Sequence, residues 1–303
     1  MDLRQLSALI AVADTGSFSA AARSLHTVQS NVSAHIARLE RQLGVAVFDR
    51  ASGRITDEGE AVLDRARHIQ NELEALVSDV AALRDEVSGT VRLGCIGTSA
   101  RWLVPLVLQD VTRAHPKVHL IVVDATTTSL IPRLLASELD LAVVNLPVTQ
   151  RGLIADRLFD EDRIVVAPEG HPLAACDRVS LAELATYPLL LEPTGTAFRD
   201  ELDREATAVG VALQPQAEVD GLRLIATLAF QGFGAAIVPA TAAPVGLEGR
   251  WRRVAITGLE PRTVGLARRQ RGLLSAPARA LQAAVTRVVL AEGEQLEGVH
   301  LPG

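Results

Sequence analysis

Cysteine is scarce in this chain, and its two cysteines, Cys95 and Cys176, lie far apart in sequence. Cys95 falls inside an apolar stretch that reads as a strand, so neither a disulfide framework nor a switch built on paired, exposed thiols is expected. Long apolar runs are also missing. None approaches the roughly 18 residues that span a bilayer, and the N-terminus has no signal-peptide core, which points to a cytoplasmic protein with no membrane partner. Excess positive charge is absent as well: the net charge is −6, which excludes a chain coated with basic residues. Lys117 is the one lysine among thirty basic residues, a bias of coding composition. Of the seven histidines, His26, His35, His68, His115, His119, His171 and His300, only His115 and His119 stand four apart, across a proline, and no cysteine pair supports them, so no metal site is expected. No nucleophile elbow and no phosphate loop appears. Gly232-Phe-Gly234 lacks the third glycine of a dinucleotide fingerprint and reads as a tight helix-to-strand turn. Trp102 and Trp251 read as packing residues. No catalytic residue and no cofactor is expected.

What is present is a soluble globular balance, 48% hydrophobic and 22% charged over 303 residues, long enough for two or more folding units. The stretch 17–43 organises the rest. Its first helical pattern carries Phe18, Ala21, Ala22 and Leu25 at i, i+3, i+4, i+7, small enough for a second helix to cross closely. Its second carries Val28, Val32, Ile36, Leu39 and Leu43 on one face, with Thr27 expected as the N-cap, accepting from the Ser30 amide. The opposite face is short and polar: Gln29, Ser30, Asn31, Ser33, then Ala34 and Arg38. Small hydrogen-bonding side chains in the first turns of a helix allow it to enter a major groove and meet base edges and phosphates. The same face also fits an ordinary capped surface helix.

Four segments then carry a family resemblance: Met1-Asp-Leu-Arg-Gln-Leu6, Gly16-Ser-Phe-Ser-Ala-Ala-Ala22, Gln29-Ser-Asn-Val-Ser-Ala-His-Ile-Ala-Arg-Leu-Glu40 and Leu43-Gly-Val-Ala-Val-Phe-Asp-Arg50. In order and spacing they resemble the N-terminal signature of the LysR-type transcriptional regulators. The resemblance implies a winged helix-turn-helix over residues 1–57, with Gln29, Ser30, Asn31, Ser33 and Arg38 on the recognition helix and Arg50 and Arg54 at the wing. Promoter DNA and RNA polymerase are the implied macromolecular partners. Ala34 stands where many members carry a basic residue, and Asp57-Glu58 make the segment after Thr56 more acidic than usual. Residues 1–58 carry six arginines and six acids, so DNA affinity must come from where the arginines point and from several subunits binding together.

The run 51–56 is a Gly-centred turn suited to a two-stranded wing. Over 58–88 a single long helix is expected. Val62, Ala66, Ile69, Leu73, Leu76, Val80 and Leu83 alternate by fours and threes, an a/d seam that wants another helix. Packing on its own wing domain would satisfy it. A two-fold partner, giving a homodimer or homotetramer, would also set half-site spacing, and the family uses this segment as the linker helix of a dimer.

From residue 91 the reading becomes strand, helix, strand, helix: strands at 91–96, 118–123, 139–144, 164–167, 189–191 and 235–239, helices at 103–114, 130–137, about 198–209 and 222–231. Continuous apolar strands alternating with helices imply a parallel, doubly covered sheet. His115-Pro116, 134–140, 165–173 and 231–239 resemble landmarks of the LysR effector-binding region. That resemblance implies an α/β effector domain over 91–303 like a periplasmic solute-binding protein, with lobe I at 91–162 and 266–292 and lobe II at 163–265. The tail from 294 is expected to be loose. In open α/β sheets ligands sit beyond the carboxyl ends of the strands. Thr98 and Ser99, Thr127 and Thr128, and Thr194 and Thr196 occupy such places, with Arg101 and Arg199 nearby, which suits a small anion such as a carboxylate. Helix capping would explain the same hydroxyls. Two functions fit: a ligand-responsive DNA-binding regulator, or a metabolite-binding protein or enzyme on the same lobes without DNA binding.

Overall fold

The computed structural model describes residues 1–49, 52–84, 86–243 and 249–302. Helix α1 (Leu3–Thr15) starts in a capping box, Asp2 accepting from the Gln5 amide at 3.0 Å and the Gln5 side chain accepting from the Asp2 amide at 3.1 Å. Gly16 ends it in the left-handed region, and Ser17 caps α2 (Phe18–Ser24). Ala21 and Ala22 are buried beneath α3 (Gln29–Leu43), the close crossing that the small residues foretold. Val32, Ile36 and Leu39 fill the same core with Leu9, Val12, Val47 and Phe48.

Thr27 is not the cap of α3. His26 turns through φ 51°, the Thr27 amide still bonds back to the Ala22 carbonyl at 2.9 Å, and the capping position falls to Val28, which has no oxygen to offer. The Thr27 hydroxyl instead accepts from the Asn31 side chain at 3.0 Å. Two backbone bonds cross the wing, from the Asp49 amide to the Arg54 carbonyl at 2.7 Å and from the Thr56 amide to the Val47 carbonyl at 3.1 Å. Among the described residues Phe48 and Ile55 form a single antiparallel bridge, and Gly53 takes φ 69° at the turn. Arg50 lies outside the described residues.

Helix α4 (Asp57–Ala82) is capped by Thr56, whose hydroxyl accepts from the Gly59 amide at 2.9 Å. Gly59 is required there, because a Cβ would collide with the Val47 carbonyl oxygen. The seam divides in two. Val62 and Ala66, with Leu63, pack into the N-terminal core, whereas Ile69, Leu73, Leu76, Val80 and Leu83, joined by Val77, are 41–85% exposed. Arg67 reaches from α4 to Asp14 on α1 and to Glu138 of the following domain, 2.6 Å each, tying the two together.

Beyond 86 the chain builds two six-stranded sheets. It runs β1 (Ser88–Cys95), α5 (Gly97–Ala114), β2 (Lys117–Asp124), α6 (Thr127–Leu135), β3 (Leu141–Asn145) and β4 (Leu153–Glu161) in the first lobe. The second lobe holds β5 (Arg163–Pro168), β6 (Arg178–Ser180), α7 (Leu181–Leu184), β7 (Pro188–Leu191), α8 (Ala197–Ala208), β8 (Gln214–Glu218), α9 (Leu222–Phe230), β9 (Ala235–Pro239) and β10 (Trp251–Thr257). The chain then returns to the first lobe with β11 (Arg262–Arg269), α10 (Ala276–Glu292) and β12 (Val299–His300). The sheet orders are β12-β4-β11-β3-β1-β2 and β6-β10-β5-β9-β7-β8.

These sheets are mixed, not wholly parallel. The trios β2-β1-β3 and β8-β7-β9 form parallel cores and β6 pairs parallel with β10; β11 runs antiparallel to β3 and β4, and β5 antiparallel to β9 and β10. The antiparallel strands are those next to the two lobe crossings, where the chain enters the neighbouring sheet directly instead of through a covering helix. The return crossing occupies 258–261, a few residues before the expected 265, because β11 already pairs with the first lobe from Arg262. Nor is the tail loose: β12 pairs with the end of β4, and Leu296 and Leu301 pack on the first-lobe core. Among the described residues no helix is long and apolar enough to cross a membrane.

Candidate nucleic-acid interface and ligand cleft

Side-chain capping divides the helices of this chain by location. The helices α1, α2, α4, α7 and α10 begin on Asp2, Ser17, Thr56, Ser180 and Ser275, each of which accepts from its own first turn. The helices α3, α5, α6, α8 and α9 have no side-chain cap. Their first-turn amides keep unfilled donor capacity and the positive end of the helix dipole, the combination that receives phosphates and carboxylates.

On α3 the unfilled terminus coincides with the polar face. Gln29, Ser30, Asn31, Ser33 and Arg38 are all exposed, as is Arg54 beside the wing turn. Two contacts hold this face in place: Ser19 donates to the Gln29 side chain at 2.8 Å, and Asn31 donates to Thr27. Glu40 is turned toward the wing, accepting from the Val47 amide at 3.0 Å. A short polar ridge with cations at its flank and an apolar underside is what a major groove admits.

The other four uncapped helices follow the carboxyl ends of parallel strands: α5 after β1, α6 after β2, α8 after β7 and α9 after β8. The hydroxyls expected at a ligand, for which helix capping was the alternative, make these contacts within the fold. Thr98 is buried and accepts from Arg262 Nη2 at 2.7 Å; Ser99 is fully buried, and its hydroxyl has no partner among the described residues. Thr127 accepts from the Asn145 amide at 3.0 Å, tying α6 to β3, and the Thr128 hydroxyl meets that of Thr126 at 2.9 Å. Thr194 is exposed, while Thr196 donates to the Pro193 carbonyl at 3.0 Å. Arg199 is consumed within its own lobe by Asp203, Glu218 and the Glu192 carbonyl.

Five residues complete the cleft that local spacing did not single out: Glu161, Arg262, Glu192, Arg223 and Asp124. Glu161, fully buried at the end of β4, accepts from Arg262 Nε at 2.8 Å and from the Thr241 amide at 2.6 Å, and Arg262 Nη2 carries the contact on to Thr98. Glu192 sits after β7, and burial raises its carboxyl above the usual range; the Gly221 amide, the Thr196 hydroxyl and the charge of Arg262 pull it partway back. Arg223 of α9 reaches Asp124 at the end of β2 with 2.5 Å between Nη1 and Oδ2. Beside that pair lies a cavity of about 740 Å3 with Arg101, Val104, Leu224 and Thr227 on its walls. The strand-end rule could have found Asp124; the partners from the opposite lobe leave no local signal.

The thiols stand apart from this cleft chemistry. Cys95 is fully buried in β1, where burial first and the charge of Asp124 second push its thiol far up. Cys176 packs against the second-lobe core.

Residues 3–60 match the family model of the bacterial regulatory helix-turn-helix protein, lysR family, and residues 84–289 match that of the LysR substrate binding domain. A probable hydrogen peroxide-inducible genes activator of Mycobacterium leprae is 36% identical over 248 residues, covering 79% of this chain and 78% of that protein. The DNA-binding transcriptional dual regulator OxyR of Escherichia coli is 29% identical over 252 residues, covering 80% and 81%. Among solved structures, a full-length OxyR variant from Pseudomonas aeruginosa superposes with a TM-score of 0.77 at 24% identity, over 95% of this chain and 94% of that one. CbnR in complex with its target DNA gives 0.69 at 24% identity, over 95% and 99%, a likeness of fold.

Proposed function

The chain belongs to the LysR family of bacterial transcriptional regulators, and from that premise we propose that it reads operator DNA with α3 and answers a small anion held between its lobes. Its relatives regulate transcription and are not enzymes, which sets aside the enzyme reading. The observation that carries the proposal is the capping pattern: the chain leaves unfilled the helix starts on its polar N-terminal ridge and around its cleft, and fills the others with Asp, Ser or Thr. The exposed stretch of α4 from Ile69 to Leu83 is the surface through which two copies pair in the cytoplasm, giving α3 a two-fold mate.

Several relatives are named for hydrogen peroxide, and the thiols here favour a different signal. A disulfide switch needs an accessible thiolate with a resolving partner within reach. Cys95 is buried and held protonated, and Cys176 lies in the other lobe.

Fluorescence anisotropy with the DNA upstream of the gene tests the DNA side. Gln29→Ala and Ser33→Ala should each weaken binding about tenfold, since a good base contact contributes roughly 1–3 kcal/mol. Binding unaltered in both variants refutes the assignment of α3. For the signal, peroxide should leave the complex of wild type and Cys176→Ser alike; a response lost only in Cys176→Ser restores a thiol switch.

A further inference from the structure

The pair Asp124–Arg223 joins the two lobes across the mouth of the cleft. Asp124 closes β2 in the first lobe, and Arg223 is the second residue of α9 in the second. Their contact is 2.5 Å, with 33% of the Asp124 side chain and 56% of the Arg223 side chain open to solvent. The backbone is cut to fit the pair: a Cβ on Gly97, the first residue of α5, would come within 2.9 Å of both Arg223 Nε and Asp124 Oδ1. Arg101 and Thr227 face the same 740 Å3 cavity, so Asp124 is the one carboxylate on a wall that otherwise offers two guanidinium groups and a hydroxyl.

We propose that Asp124 is a resident stand-in for the effector: the pair latches the lobes at rest, and a carboxylate-bearing ligand acts by taking Arg223 from it. The proposal rests on the reading that the effector binds between the lobes. A guanidinium favours two parallel bonds to a carboxylate. Here Asp124 is held on β2, and the half-open pair is weakened by water and salt. A free carboxylate can approach Arg223 squarely and meet the uncapped amides of α5 beside Gly97 at the same time. Asp124, once released, is left next to the bound anion, and that repulsion moves the lobes apart or into a new register. A ligand that binds the two lobe placements unequally shifts their populations by that difference, which is what a switch requires.

The test uses full-length wild type, Asp124→Asn and Arg223→Gln, titrated calorimetrically with acetate, succinate and benzoate, chloride being the control. At least one carboxylate should bind wild type, bind Asp124→Asn about fivefold or more tightly, and lose tenfold or more of its affinity in Arg223→Gln. Small-angle scattering without ligand should show both variants with the lobes farther apart than wild type. Asp124→Asn binding no tighter than wild type, Arg223→Gln binding equally well, or no carboxylate binding Asp124→Asn overturns the proposal. Hydrogen exchange on the wild-type complex separates this from failure of the underlying reading: protection at 97–101 and 222–227 keeps the cleft as the site whatever the variants do, and protection elsewhere removes it.

Discussion

Glu161 and Arg262 form the most deeply buried ion pair at the crossing of the lobes, and breaking it from one side should be far more harmful than removing it whole. Glu161 is 0% exposed and accepts from Arg262 and from the Thr241 amide; Arg262 spends its remaining reach on Thr98. Glu161→Gln keeps the shape but leaves a buried guanidinium without its counter-charge, and Arg262→Met leaves a buried carboxylate with one amide. Either loss should cost about 3–5 kcal/mol. Replacing both, as Glu161→Met with Arg262→Met, removes both desolvated charges together and should cost about 1–2 kcal/mol, since an apolar pair of similar volume is often neutral. Trp102 reports on this lobe, because it packs edge-on against Phe159 at 5.7 Å. In a Trp251→Phe background its fluorescence follows first-lobe unfolding in urea. At a slope of about 2 kcal/mol per molar, each single change should lower the midpoint by about 1.5 M or more, and the double change by less than 1 M. Single changes costing under about 1 kcal/mol, or a double change equal to their sum, would refute the reasoning.

Two further outcomes follow from particular contacts. Burial raises the Glu192 carboxyl in the folded chain, so the folded state keeps its proton to higher pH than the unfolded one; stability from this group is present at low pH and is lost as pH rises from the ordinary glutamate value to the raised one. Glu192→Gln should therefore stabilise the protein at pH 7 relative to wild type, with the gap closing by pH 4, as read by thermal melts; a gap that widens on acidification contradicts this. On α4, Leu76→Asp and Val80→Asp place charges on an exposed apolar stripe and should shift sedimentation toward the monomer without lowering the melting temperature of the N-terminal domain, whose core they do not touch. An unchanged oligomer would remove α4 as the pairing surface.

The N-terminal domain was legible because its information is local. Ala21 and Ala22 at helical spacing, and Val32, Ile36 and Leu39 on one face, have one way to be buried, and they are. The cap on Thr27 was misread because capping depends on one backbone angle, and His26 in the left-handed region shifts the start of α3 by a residue. In the lobes the apolar strands of the parallel cores stood out. Strands β4, β10 and β11 did not, since Arg157, Arg252, Arg253, Arg268 and Arg269 interrupt them and their hydrogen-bond partners come from remote segments. The cleft divides the same way. Hydroxyls after strands can be found from position alone, whereas the bond from Arg262 to Thr98 spans 164 residues, and Asp124–Arg223 exists only once two lobes meet.

Hydroxyl-radical footprinting of the full chain on the DNA upstream of its gene tests most directly whether the polar ridge of α3 enters a groove. Protection should appear as paired patches on one face of the duplex, separated by a multiple of about 10.5 base pairs, and should fade together in Gln29→Ala. Diffuse protection along the whole fragment, or paired patches untouched by that change, would mean that something other than α3 holds the DNA.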